Sequence, residues 1–133
     1  MKNMKGMKDV EESPLVREVI GCAIEVHKAL GPGLLESTYE QCLAHELSLR
    51  KISFAIQKQL PVEYKGVRID CGYRIDMVVQ DELLLELKSI EHLLPIHEAQ
   101  LLTYLKLSSL RHGLLINFNV RLLRDGIRSF LLN

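Results

Sequence analysis

The chain has 133 residues, within the span of about 100–150 residues common for one domain. Apolar residues make up 47% and charged residues 26%, which excludes an intrinsically disordered or fibrous chain. The 17 basic residues balance 17 acidic ones, so the overall basic excess of a dedicated nucleic-acid binder is missing.

No run of about 18 apolar residues occurs, so no membrane-spanning helix is expected. Lys2, Lys5 and Lys8 lead into Asp9, Glu11 and Glu12 with no apolar segment behind them, unlike a secretory signal. Cys22, Cys42 and Cys71 form no even set and no C-x-x-C pair, as expected of thiols in a reducing cytoplasm. The expectation is a cytoplasmic protein with one domain over residues 13–133, behind a polar, mobile tail over 1–12. Charge is uneven within it. From Lys106 onward, Lys106, Arg111, Arg121, Arg124 and Arg128 face only Asp125, a local net of +4. That segment reads equally as a basic patch or a solvated end strand.

Ser13 is a good N-cap and Pro14 suits the first helical position. Leu15, Val16, Val19, Ile20, Ala23, Ile24, His27 and Leu30 follow at helical spacing, and Gly31-Pro32-Gly33 stops the helix. A second helix is predicted from about Leu35 to Arg50, with Tyr39, Leu43 and Leu47 facing the core. The period then changes. Phe54 to Tyr64 reads as a strand broken late by Pro61, and Lys65-Gly66 as a turn. Val67 to Val79 reads as a long second strand bent near Gly72, and Leu83 to Ile90 as a third. Pro95 opens a helix to about Leu107, and two strands close the chain at Gly113 to Asn119 and Gly126 to Leu131. The order α-α-β-β-β-α-β-β predicts an α/β domain with a mixed sheet flanked by helices.

The third strand, Leu83-Leu84-Leu85-Glu86-Leu87-Lys88-Ser89-Ile90, is apolar enough to be buried on both faces. Side chains alternate, so Glu86 and Lys88 share a face with Leu84. Two charges in such a strand are costly unless paired or ligated. A buried Glu–Lys pair, or a strand end emerging into water, would explain them alone. Asp76 changes the balance. A three-residue loop, Gln80 to Glu82, sets Val79 opposite Leu83 and therefore Asp76 opposite Glu86. Opposed carboxylates repel, and a divalent cation removes that penalty. A two-residue turn would send the two carboxylates to opposite faces. Lys88 lies two residues on, where an ammonium can orient a water or stabilise charge developing on a phosphate. Two carboxylates and a lysine around a metal suit phosphodiester hydrolysis.

Asp76 with Glu86-Leu87-Lys88 resembles the signature of the PD-(D/E)XK nuclease superfamily. Gly33-Leu34-Leu35-Glu36-Ser37-Thr38-Tyr39 resembles the G-x-x-E-x-x-Y signature of a bacterial and archaeal family named after it. Gln100-Leu101-Leu102-Thr103-Tyr104 resembles the Q-x-x-x-Y helix of the RecB-like exonuclease branch. The similarity continues through Gly113-Leu114-Leu115-Ile116-Asn117-Phe118 and covers roughly residues 14–130. It implies a restriction-endonuclease-like core with a metal site where two strands diverge. By position Asp76 and Glu86 hold Mg²⁺ or Mn²⁺, Lys88 stands beside the attacking water, and Glu36 completes the metal shell directly or through a water. Gln100 and Tyr104 contact substrate phosphate or support the site, and Tyr39 falls in the same supporting group. Ile75 stands where the superfamily signature has a leading proline.

The residues themselves allow plainer readings. Glu36 and Glu40, one helical turn apart, could be solvated, and Gly33 could serve only its turn. His97, Gln100 and Tyr104 share a helix face and could be a polar stripe with Tyr104 half-buried. Zinc is disfavoured, because the cysteines and histidines lack closely paired spacing. A cysteine nucleophile is disfavoured too, since Cys22 and Cys42 fall on apolar helix faces. No phosphate-binding glycine motif occurs, and aromatics at 5% with no tryptophan offer no stacking platform.

The expected function is metal-dependent hydrolysis of phosphodiester bonds in DNA, with RNA second. The alternative is a catalytically silent module of the same fold that binds nucleic acid or a protein partner, which zero net charge and small size favour. A scaffold with a buried ion network is the third reading. A short chain with an exposed edge strand can also pair into a homodimer.

Overall fold

The structure, a computed structural model, describes residues 2–3 and 13–132. Of the expected tail over 1–12, only Lys2–Asn3 falls among them, as a two-residue strand, β1.

Helix α1 spans Pro14–Leu30. Ser13, in an extended conformation, caps it, its Oγ accepting from the Val16 N–H at 3.5 Å. Gly31 ends it at φ +73°, a left-handed conformation that glycine adopts without penalty, and donates its N–H to the His27 carbonyl. The buried stripe is Val16, Val19, Cys22, Ala23 and Val26. Helix α2 spans Glu36–Leu49 and buries Tyr39, Leu43 and Leu47.

Strands β2 (Phe54–Gln59), β5 (Arg74–Val79), β6 (Leu83–Lys88), β7 (His112–Asn117) and β8 (Ile127–Leu132) join β1 in one sheet ordered β1-β8-β7-β6-β5-β2. The β6–β7 pair is parallel and the other pairs are antiparallel. Parallel neighbours need a long crossover, and helix α3 (Pro95–Ser108) supplies it. Strands β6 and β7 are buried almost throughout, because helices cover both faces of the sheet. On one face α1 and α2 close over Met77, Val79, Leu83, Leu85 and Leu87. On the other, Leu101, Tyr104 and Leu105 of α3 pack on Val78, Leu84, Leu115 and Phe130. No helix among the described residues is long and apolar enough to cross a membrane.

Two expectations are corrected. Phe54 to Tyr64 is not one strand but β2 followed by β3 (Val62–Tyr64), and Val67 to Val79 is β4 (Val67–Ile69) followed by β5. Strands β3 and β4 form a separate antiparallel ribbon. Pro61 has no N–H to continue the ladder. Lys65 and Gly66, both at positive φ, make the tight turn that closes the ribbon. The Gly72 N–H donates to Asp70 Oδ1 at 3.0 Å, turning the chain before β5 begins.

Candidate active site

The site lies at the open end of the β5–β6 hairpin. The three-residue connection sets Val79 opposite Leu83, and the ladder runs from there to Met77 opposite Leu85. It then stops, one residue before Asp76 would face Glu86. The β5–β2 ladder lapses at the same point. It pairs Ile56 with Met77 and resumes with Lys58 and Ile75, passing over Gln57 and Asp76. Gln57 is at φ +50°, rare for a residue with a side chain. Alternation also breaks at Asp76. Met77 and Val79 pack on the α1–α2 side, while Ile75 joins Val78 on the α3 side. Asp76 therefore sits where β5 loses ladder pairing to both neighbours.

Side chains take over the hydrogen bonding. The Leu87 N–H donates to Asp76 Oδ2 at 2.7 Å, and the Asp76 N–H donates to Glu86 Oε2 at 3.1 Å. Each carboxylate thus caps the backbone of the opposite strand. Gln57 Nε2 donates to Asp76 Oδ1 at 3.4 Å and to Glu40 Oε1 at 2.7 Å, tying β5 to α2.

The electrostatics follow from crowding carboxylates in a buried place. Glu86, 6% exposed, has its pKa pushed up to about 8, first by burial and then by the Asp76 charge. The Asp76 N–H and the Lys88 charge oppose that rise. Burial also raises the Asp76 pKa, against the Leu87 N–H and the Gln57 amide, and the Glu36 charge adds to the rise. Glu40 is raised by burial, against its bond from Gln57, with the Asp76 charge adding.

Lys88 ends β6, where its carbonyl accepts from the Phe118 N–H at 2.9 Å. Its charge reaches both Asp76 and Glu86. Glu36 is the first residue of α2, and its Oε2 accepts from the Ser89 N–H at 3.2 Å. The same serine donates its hydroxyl to the Leu34 carbonyl, clamping the α2 entrance onto the end of β6. Tyr39 is fully buried and stacks on Phe118 with ring centroids 4.4 Å apart. Its hydroxyl donates to the Gly31 carbonyl and accepts from the Leu34 N–H, so it braces the turn that delivers Glu36.

Gln100 and Tyr104 come from α3 on the other face. Gln100 Nε2 donates to Tyr104 Oη at 3.3 Å, and Tyr73 meets the Tyr104 ring edge-on. Burial raises the Tyr104 phenol pKa, and the Glu86 charge is the next contribution, so Tyr104 lies within electrostatic reach of Glu86. His97 turns away: its Nδ1 accepts from the Leu94 N–H at the helix start.

The structure thus gathers Asp76, Glu86, Lys88 and Glu36 at one strand end, with Tyr104 on the far side of Glu86. Sequence reasoning missed Gln57 and Ser89 and left Glu40 as a solvated residue. A glutamine in a strand carries no signal of a left-handed backbone, and α2 reaches β2 only through the tertiary fold.

Oxygen donors from Asp76 and Glu86, with Glu36 beside them, suit a hard divalent cation such as Mg²⁺ or Mn²⁺. Glu86 is buried and Asp76 half-buried, and their mutual repulsion, with Glu86 titrating near 8, is what a cation would relieve. The three expected ligands do not converge, however. Among the described residues no three His, Cys, Asp or Glu side chains gather closely enough to hold an ion. In this arrangement Asp76, Glu86 and Glu36 each accept from a backbone N–H.

Comparison with curated proteins and with solved structures returned no match. A family model, that of the PD-(D/E)XK nuclease superfamily, matches residues 13–130. The match spans both helices of the α1–α2 layer, the whole sheet from β2 to β7 and most of β8. This chain belongs to the PD-(D/E)XK nuclease superfamily.

Proposed function

We propose that the chain is a metal-dependent nuclease that hydrolyses phosphodiester bonds of DNA, with RNA as the second choice of substrate, and that it falls in the G-x-x-E-x-x-Y branch of its superfamily. The observation that carries this reading is the Asp76–Glu86 pair. A buried carboxyl, Glu86, and a half-buried one, Asp76, stand at the point where β5 has released its ladder partners, with a lysine two residues along β6.

Asp76 and Glu86 would hold Mg²⁺ or Mn²⁺, and Glu36 would complete the shell directly or through a water. When bound, the ion supplies Lewis-acid polarisation of a phosphoryl oxygen and charge for the transition state. Lys88 orients the attacking water and offsets negative charge growing on the phosphate. Tyr104 of α3 lies within electrostatic reach of Glu86, and with Gln100 it would brace that carboxyl or contact a phosphate oxygen. Tyr39 and Ser89 act at a distance, fixing the turn that presents Glu36.

Lys88→Ala tests the assignment. It should lower Mg²⁺-dependent cleavage of DNA by at least about a hundredfold, the loss typical when one preorganised charge-stabilising group is removed. The thermal midpoint should move little, because Lys88 is partly exposed and its backbone bonds remain. Cleavage at the wild-type rate would contradict its role.

A further inference from the structure

The basic C-terminal segment does not stay together in the fold. Arg128 pairs with Glu98 at 3.3 Å, and Arg111 donates its Nε to the Leu132 carbonyl at 2.9 Å. Arg121 and Arg124 instead flank a cavity of about 410 Å³, where Lys28 of α1 joins them. All three cations are exposed, and none of their side chains has an ion-pair or hydrogen-bond partner among the described residues. Among the described residues no carboxylate lines the cavity, and Ile24, Leu122 and Leu123 supply apolar lining. A neutral chain has concentrated unpaired positive charge around one apolar depression.

This depression adjoins the catalytic end of β6. Gly31 and Pro32 form one of its walls, while the next residues, Gly33, Leu34 and Leu35, line a second cavity with Ser89 and Asn119. Ser89 directly follows Lys88 and holds Glu36. The two cavities are therefore built from the same two chain segments, the turn before α2 and the connection after β7. His27 Nε2 against the Val120 carbonyl, at 2.8 Å, locks those segments together.

We propose that the Lys28–Arg121–Arg124 cavity is a second contact site for the phosphodiester backbone of a nucleic acid, placed to hold the strand that leaves the active site across the Gly33–Leu35 turn. A nucleotide unit offers both features the site asks for, an anionic phosphate for the rim and a flat apolar sugar and base face for the floor. This rests on the nuclease reading, and it names where that substrate is held outside the metal centre.

The test is anisotropy titration of a labelled 20-nucleotide strand and its duplex, in EDTA to prevent turnover. The full chain is compared with a Lys28→Gln, Arg121→Gln, Arg124→Gln variant. A second variant, Lys58→Gln, Arg68→Gln, Lys106→Gln, removes the same charge elsewhere. The first variant should bind roughly tenfold more weakly and lower the slope of log affinity against log salt by about 2, since each phosphate contact contributes about 0.7–0.9. The second should bind like wild type. Equal losses in both variants would mean diffuse charge and overturn the site, as would no loss in the first. Absence of binding by wild type would overturn it too. Mn²⁺ calorimetry on wild type and the first variant keeps the two ideas separate. Unchanged Mn²⁺ binding leaves the nuclease reading standing whatever the nucleic-acid result, whereas its absence in wild type removes that reading.

Discussion

The two ends of the β5–β6 hairpin are built from the same kind of strand and do different work. At the closed end Val79, Leu83, Met77 and Leu85 are apolar, buried and ladder-paired. At the open end Asp76 and Glu86 replace ladder bonds with side-chain bonds to the opposite backbone. Apolar burial stabilises the first end. The second holds two carboxylates in a place that penalises their charge, together with a left-handed Gln57. Such departures persist where the surroundings enforce them, and they cluster at functional sites.

Substitutions at the closed end should act on stability alone. Leu85→Ala removes a side chain with no exposed surface between α1, α2 and the sheet. It should cost about 2–5 kcal/mol in denaturant unfolding. Mn²⁺ affinity of the folded fraction should stay near wild type. A large loss of affinity would show that the two ends are coupled.

The open end should reveal itself through pH. Glu86 titrates near 8 in the folded chain, against an ordinary value of 4.5. A carboxyl raised in this way favours the folded state fully below pH 4.5, and that contribution is lost as pH rises through 8. Asp76 and Glu40 are raised as well and act in the same direction. Metal-free protein should therefore lose stability between pH 4.5 and 8, and Glu86→Gln should flatten that slope. A stability that climbs over this range would contradict the assigned repulsion. Added Mn²⁺ should restore stability most at the upper end, since an ion held by ionised carboxylates of the folded chain would favour that state.

The smallest effect should come from Gln57→Gly. A left-handed non-glycine residue costs about 1–3 kcal/mol, while glycine in a strand costs about 0.5–1 kcal/mol. The two nearly offset, so the thermal midpoint should shift by only a few degrees. Loss of the amide that spans Glu40 and Asp76 should nevertheless weaken Mn²⁺ binding roughly two- to fivefold, less than about 1 kcal/mol. Unchanged affinity would make Gln57 a backbone feature only.

The hairpin also marks how far the sequence can be read. The span of α1 follows from Ser13-Pro14 at one end and Gly31-Pro32 at the other, since capping and chain stops are local chemistry. The Val79–Leu83 register follows from the length of the Gln80–Glu82 loop, but the break in pairing and alternation at Asp76 lies beyond what that register can tell. The β3–β4 ribbon was hidden, because alternation looks the same whether a strand stays in the main sheet or leaves it. Gln57 was hidden because its conformation is imposed from α2 and β5. The meeting of Lys28 with Arg121 and Arg124 was hidden because about 90 residues separate them in the chain, and only the packing of α1 beside the β7–β8 connection brings them together.

The chemistry proposed for the open end rests on Asp76 and Glu86 forming one cation site. Its most direct test is Mn²⁺ titration calorimetry at pH 7 in two buffers of different ionisation heat, on wild type and on Asp76→Asn. One site per chain is expected, with release of about one proton because Glu86 is mostly protonated at that pH, and with loss of both in the variant. Binding without proton release, or binding that survives Asp76→Asn unchanged, would place the ion elsewhere and rule out the Asp76–Glu86 site.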